Sequence, residues 1–223
     1  MNPTLRQRSR PADHADKKDI KESSPTVLQR HVEFWDRDND GIIHPWDVYN
    51  GFRELGFGIL FSIGSLLIPV FFSYPTRLGH SWLPDPLLRI YVKDIHKAKH
   101  GSDTGIYDFD GNFDEQRFNE LYERFDTTGA GGLSAGDMLA LWKKDRCAAD
   151  PAGWSFAFME WWTTWLLLQK DGLVWKDDLR ACYDGTLFWR IKDQRDEDKK
   201  AHAEKGGQAS WNPFRLPPKT AME

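Results

Sequence analysis

Between Leu55 and Thr76 the chain carries no charged side chain, and its centre, Phe57 to Phe72 (FGILFSIGSLLIPVFF), is apolar on every side. A surface helix of a small domain shows a polar face, so this block must either be buried completely or be given to lipid. A bilayer span takes about 20 predominantly apolar residues, and this stretch is marginal by that measure because Gly58, Ser62, Gly64, Ser65 and Pro69 lie inside it. Three readings compete: a span, a hairpin that dips into a lipid layer and returns, and a buried helix of a soluble core. Pro75, Pro84 and Pro86 follow the block and turn the chain, which favours the hairpin, with Tyr74 and Trp82 as the amphipathic rings expected at the interface.

Just upstream, Asp36-Arg37-Asp38-Asn39-Asp40-Gly41-Ile42-Ile43-His44-Pro45-Trp46-Asp47 matches the 12-residue EF-hand loop. Calcium takes six to eight oxygens, and the loop offers carboxylates from Asp36, Asp38 and Asp40, the backbone carbonyl of Ile42 and a carboxylate from Asp47. Gly41 permits the sharp turn. Helical patterns flank it: Val27, Leu28, His31, Phe34 and Trp35 before, and Trp46, Val48, Tyr49, Phe52 and Leu55 after. Ser24-Pro25 reads as the first helix's N-cap and first residue. The last loop position holds Asp47 rather than the usual bidentate Glu, and His44 stands where an oxygen or a bridging water is common, so the site shifts toward magnesium's octahedral preference. Weaker acidic echoes recur near residues 107, 125 and 170, none with a full ligand set. The fold class is therefore mainly α, built from EF-hand-type helix-loop-helix units, one loop intact and its partners degenerate, with a hydrophobic lipid-anchoring helical hairpin.

The 30 basic and 34 acidic residues give a net charge of -4, with no concentrated Lys/Arg face, which argues against a nucleic-acid binder. Cys147 and Cys182 form neither a CxxC pair nor a disulfide framework, which points to a reducing compartment. The polar N-terminus lacks a signal's apolar core, so secretion is not expected. GAGGLSAG lacks the strand and the GK[ST] ending of a phosphate cradle. Four methionines and one intact loop do not make a calmodulin-type sensor. Trp154, Phe158, Trp161, Trp165 and Leu168 fall on one helical stripe read as core packing.

On residue type alone, His31, on the apolar stripe entering the calcium loop, reads as a hydrogen-bonded core histidine. His96 and His100 stand at i, i+4, a spacing that places both rings on one helix face and suits a metal as well as a solvated basic turn.

Four blocks in order, LQRHVEFWDRDNDGIIHPWDVYNGFRELGFG, the apolar block with its proline-rich end, SWLPDPLLRIYVKDIHKAKHGSDTGIYD and KDGLVWKDDLRACYDGTLFWR, resemble the caleosin/peroxygenase family of lipid-droplet calcium proteins over residues 26–191. The resemblance implies one calcium-binding EF-hand, attachment to oil bodies through the central segment and its proline knot, and a haem-dependent peroxygenase activity. It also implies that His31, before the loop, and His100, before GSD, are the haem-linked residues, with His96 a substitute candidate. Implied partners are fatty-acid hydroperoxides, unsaturated fatty acids and a phospholipid monolayer or membrane. The implied location is the lipid-droplet surface and the endoplasmic reticulum membrane, on the cytosolic face, and a homo-oligomer is compatible with the sequence. Leu78 and Arg89 stand where related sequences often carry further prolines.

The expected organisation is a polar flexible N-terminus (1–24), the calcium-binding region (25–56), the hydrophobic segment and proline knot (57–90), the C-terminal caleosin domain (91–191) and a charged tail (192–223). A haem with two tightly bound histidines leaves no position for peroxide, so His31, held by a packed helix, is expected as the proximal ligand. His100 is then distal, either displaceable or acting as an acid/base. Because the helix carrying His31 runs into the loop, calcium is expected to govern the ligand's geometry. The competing reading is a non-catalytic calcium-binding droplet coat or tether, which has no need of His31 and His100.

Overall fold

The computed structural model describes residues 24–204; the N-terminal segment up to residue 23 and the tail beyond residue 204 lie outside the described residues. The described chain is mainly helical, as its periodicity indicates. Helix α1 (Val27–Glu33) starts at Thr26 and not at Ser24: the Thr26 hydroxyl caps the Gln29 amide while the Gln29 side chain returns to the Thr26 amide. The loop that follows contains β1 (Ile42–Ile43) and leads into α2 (Pro45–Glu54), where Asp47 accepts from the His44 amide at 2.9 Å.

Downstream, the described elements are α3 (Ile59–Gly64), α4 (Leu67–Arg77), β2 (Ile90–Tyr91), a 3-10 helix (Val92–Ala98), α5 (Glu115–Phe125), β3 (Gly132–Ser134) and α6 (Ala135–Asp145). Then come α7 (Pro151–Leu168), β4 (Leu173–Trp175), α8 (Lys176–Tyr183) and α9 (Thr186–Glu204). The strands form two antiparallel pairs. Ile43 stands opposite Ile90 in β1–β2, and Leu133 opposite Val174 in β3–β4. The pairs repeat one device: the Val92 amide donates to the Gly41 carbonyl at 3.0 Å, and the Lys176 amide to the Gly131 carbonyl at 3.1 Å. The two acidic echoes near 125 and 170 are thus each other's partners. The intact loop pairs with Ile90–Tyr91, at the expected boundary between the proline-rich segment (57–90) and the C-terminal domain (91–191), and not with another acidic loop.

The apolar block forms one helix of 19 residues, Ile59–Arg77, in which α3 and α4 are joined by Ser65 and Leu66 without leaving helical conformation. The chain reverses after that helix, between Gly79 and Leu88, and not inside it. The helix is inverted relative to an ordinary amphipathic one. Ser62, Ser65, Pro69, Ser73 and Thr76 face the protein, while Leu60, Ile63, Leu67, Val70 and Tyr74 face outward. The buried hydroxyls of Ser62, Ser65 and Thr76 donate to carbonyls of their own helix at 2.7–3.0 Å, while the buried Ser73 Oγ has no partner. Asp85, between two prolines, pins the returning chain: it is buried and bonds Arg77 and Arg89 at 2.8 Å and the Tyr91 hydroxyl at 3.1 Å.

One expectation is corrected here. His96 and His100 do not share a helical face, because the 3-10 helix ends at Ala98 and leaves His100 outside it. The charged segment from residue 192 continues α9, whose first turns bury Leu187, Phe188 and Ile191. Of the aromatic stripe on α7, Trp161 and Trp165 pack against the core while Phe158 is exposed.

Candidate active site: an apolar cavity with two histidines

A cavity of about 510 Å³ lies between α1, α2, α4, α7 and the α8–α9 turn, and both His31 and His100 line it. Most of the wall is aliphatic or aromatic, including Leu28, Phe52, Ile68, Phe72, Phe156, Trp161 and Phe188. His96 is not part of the wall.

His31 comes from α1. Its Nδ1 lies 2.7 Å from the Cys182 carbonyl, and since a carbonyl only accepts, Nδ1 carries the proton and Nε2 keeps its lone pair. Desolvation in the cavity pushes the ring's pKa down, outweighing the Cys182 bond and the Asp184 charge, so the imidazole is neutral. Phe188 and Tyr107 pack edge-on at 5.2 and 6.2 Å between ring centres. Behind it, Gly185 touches the α1 backbone at Arg30 and His31 with φ of +82°. An imidazole fixed through Nδ1–H to a carbonyl is the arrangement that metal-bound histidines adopt.

His100 sits beyond the 3-10 helix. Its Nδ1 accepts from the Ser102 amide at 3.2 Å, which in the neutral ring leaves the proton on Nε2. Asp150, the N-cap of α7, lies 3.4 Å from the same Nδ1 and accepts from the Ser102 hydroxyl at 2.9 Å. Nε2 points toward Glu160 Oε2, 4.0 Å away. Glu160 is half accessible, yet it lines the cavity, and desolvation there, with Asp103 adding to it, pushes its carboxyl up to about 8. Sequence reasoning missed Glu160. The available signal was that it is the one charged residue of α7, Pro151–Leu168.

The carboxylates of Asp36, Asp38 and Asp40 converge, with one oxygen from each within 4.8 Å of the others. Asp36 is buried, its Oδ2 accepts from the Gly41 amide at 2.9 Å, and its Oδ1 has no partner. Burial raises the Asp36 pKa, and the neighbouring Asp40 and Asp38 charges add to that. An orphaned buried carboxylate oxygen beside two more carboxylates fits a hard cation. Asp47 is not in this group, and Ile42 stands between, its amide bonded to Asp40 at 2.8 Å. The loop Asp126–Asp137 repeats the turn, Gly131 donating to Asp126 at 2.7 Å, but Thr128 and Ala130 replace the second and third carboxylates.

A family model described as caleosin related protein matches residues 23–192. "Peroxygenase" from Lilium longiflorum is 39% identical over 172 residues, 76% of this chain and 71% of that protein. "Probable peroxygenase 4" from Arabidopsis thaliana is 40% identical over 173 residues, 75% of this chain and 86% of that protein. A "Probable inactive peroxygenase-like protein" from Arabidopsis thaliana is 32% identical over 152 residues, 65% of this chain and 69% of that protein. No solved structure matches the chain.

Proposed function

The chain belongs to the caleosin family, and on that premise we propose that it is a calcium-dependent haem peroxygenase of the lipid-droplet surface and the endoplasmic reticulum membrane, facing the cytosol. It uses fatty-acid hydroperoxides to epoxidise unsaturated acyl chains or to hydroxylate small acceptors. The observation that carries this reading is that His31 and His100, distant in sequence, line one apolar cavity, with His31 in the tautomer a metal requires.

The residues present fit a haem: a mostly apolar wall, a neutral imidazole with a free Nε2, and a second imidazole on the same cavity. Bound there, the haem supplies the oxidising centre that takes an oxygen atom from a hydroperoxide. The protein's part is binding, orientation and proton handling. His31 would hold the haem through Nε2, its ring plane fixed by the Cys182 carbonyl. His100 would present Nε2–H to the incoming peroxide. The aliphatic part of the wall receives the acyl chain.

The two strand-paired helix-loop-helix halves are read as EF-hand units, of which Asp36–Asp47 holds the calcium. Asp36, Asp38, Asp40, the Ile42 carbonyl and Asp47 are its ligands, and the shorter Asp47 makes the site a weak one. Asp36 is tied to the end of α1 through its amide bond to the Glu33 carbonyl, 3.1 Å, so filling the loop sets the direction of the helix that carries His31. The inverted helix Ile59–Arg77 gives its aliphatic face to the monolayer, and with the return through Leu83 and Leu87, both exposed, it makes an anchor that enters and leaves on one side.

Replacing each histidine with Ala tests the division of roles. His31→Ala should abolish stoichiometric haem uptake, and His100→Ala should keep the Soret band while losing at least 100-fold in turnover. Identical outcomes for the two variants refute it.

A further inference from the structure

Glu160 is unexplained by the roles above. It is the one charged side chain of α7, half accessible yet on the cavity wall, and its ion-pair partner among the described residues is His100, at 4.0 Å. That separation is too long for a direct hydrogen bond. It is short enough for a single oxygen atom to lie within hydrogen-bond reach of both Glu160 Oε2 and His100 Nε2. The two side chains thus make a polar notch, continued past His100 by Ser102 and Asp103 and bordered on α7 by the apolar Phe156 and Trp161 that flank Glu160.

We infer that Glu160 is a further catalytic residue of this cavity, which receives the hydroperoxide group beside His100 and carries its proton between the two peroxide oxygens. The inference rests on the peroxygenase reading and deepens it. In the overall transfer ROOH and an acceptor give ROH and the oxygenated acceptor. The O–O bond breaks, the terminal oxygen goes to the acceptor, the hydroperoxide is reduced by two electrons and the acceptor is oxidised by two. The hydroperoxide's own proton starts on the terminal oxygen and must finish on the inner one. Glu160 Oε2 takes that proton from the terminal oxygen and returns it to the departing inner oxygen, while His100 Nε2–H holds the peroxide in place. The cavity's desolvation, which raises this carboxyl, favours a group that both holds and releases a proton near neutrality. A carboxylate needed only for packing would have no reason to face a cavity that can hold a substrate.

The test uses the detergent-solubilised full chain and two variants, Glu160→Gln and Glu160→Leu. Calorimetry on the haem-free chain with the hydroxy fatty acid, the reduced form of the hydroperoxide, reads whether Glu160 holds the oxygen. Glu160→Leu should weaken binding about tenfold, and Glu160→Gln should stay within about twofold of the parent. Both variants should keep the parent's Soret band with haemin, and both should lose about 100-fold in hydroperoxide-dependent turnover. A Glu160→Gln enzyme as active as the parent overturns the inference, as does undiminished binding by Glu160→Leu. If the parent chain itself takes up no haem, the peroxygenase reading fails, while the calorimetry still decides whether Glu160 receives the lipid oxygen.

Discussion

Replacing Gly185 with Ala asks how tightly the turn between α8 and α9 holds His31. Gly185 has φ of +82°, and a Cβ built there meets the Arg30 carbonyl oxygen at 2.5 Å and the His31 Cα at 2.9 Å. Both are backbone atoms that cannot swing aside. Ordinary contact begins near 3.4 Å, so the turn and α1 must part by about 0.9 Å. The left-handed backbone costs about 1 kcal/mol, and overpacking adds about 1–3 kcal/mol, about 2–4 kcal/mol together. At about 2–4 °C per kcal/mol for a chain of this size, Tm should fall by roughly 5–15 °C. The 2.7 Å bond from His31 Nδ1 to Cys182 belongs to the same junction and would stretch beyond hydrogen-bond length. Haem affinity should therefore drop at least tenfold in a Soret titration. Gly172→Ala is the matched control, since Gly172 has φ of +79° with nothing within 4 Å; it should cost about 1 kcal/mol of strain and leave haem affinity unchanged. Parent-like Tm and haem affinity in Gly185→Ala would refute the reasoning.

Two further outcomes follow from the same geometry. Ile63→Glu places a charge on the outward stripe of the helix Ile59–Arg77, which should lower partition into phospholipid vesicles or oil emulsions about 100-fold and leave the thermal midpoint of the solubilised chain within about 2 °C; undiminished flotation would remove that face from the lipid contact. Burial alone would raise the Asp85 pKa, but its bonds to the Leu87 amide, Arg89 and Tyr91 prevail and bring it to about 2 against an ordinary 3.8. The unfolded chain therefore binds this proton more readily, so the stability Asp85 supplies is complete above about pH 5 and is lost as pH falls toward 2. Asp85→Asn should lower Tm at pH 7 and flatten its fall between about pH 5 and 2, and an unchanged acid profile would contradict the pinning of the return segment.

What was readable in the sequence was set by local rules. The spacing of Asp36, Asp38, Asp40 and Gly41 is a loop that folds on itself, and the structure brings those carboxylates together. The rest depended on distant partners. Ile90–Tyr91 pairs with Ile42–Ile43 of the acidic loop through backbone bonds, which leave no mark on side-chain pattern. By residue type alone His31 and His100 read as unrelated histidines; the resemblance linked them, and the fold puts both on one wall. Glu160 was visible as a lone charge in an apolar helix, yet only the cavity gives that charge a direction. The helix Ile59–Arg77 reads as uniformly apolar, and its small-residue face becomes apparent only when Ser62, Ser73 and Thr76 are found buried.

The most direct test is the visible absorption spectrum of the solubilised chain titrated with haemin, in calcium and in chelator, followed by epoxidation of an unsaturated fatty acid with a fatty-acid hydroperoxide as the oxygen source. The account predicts a stoichiometric Soret band and hydroperoxide-dependent epoxide whose rate falls when calcium is removed. No saturable haem uptake in either metal state would contradict it and leave a calcium-binding lipid-surface protein without this chemistry.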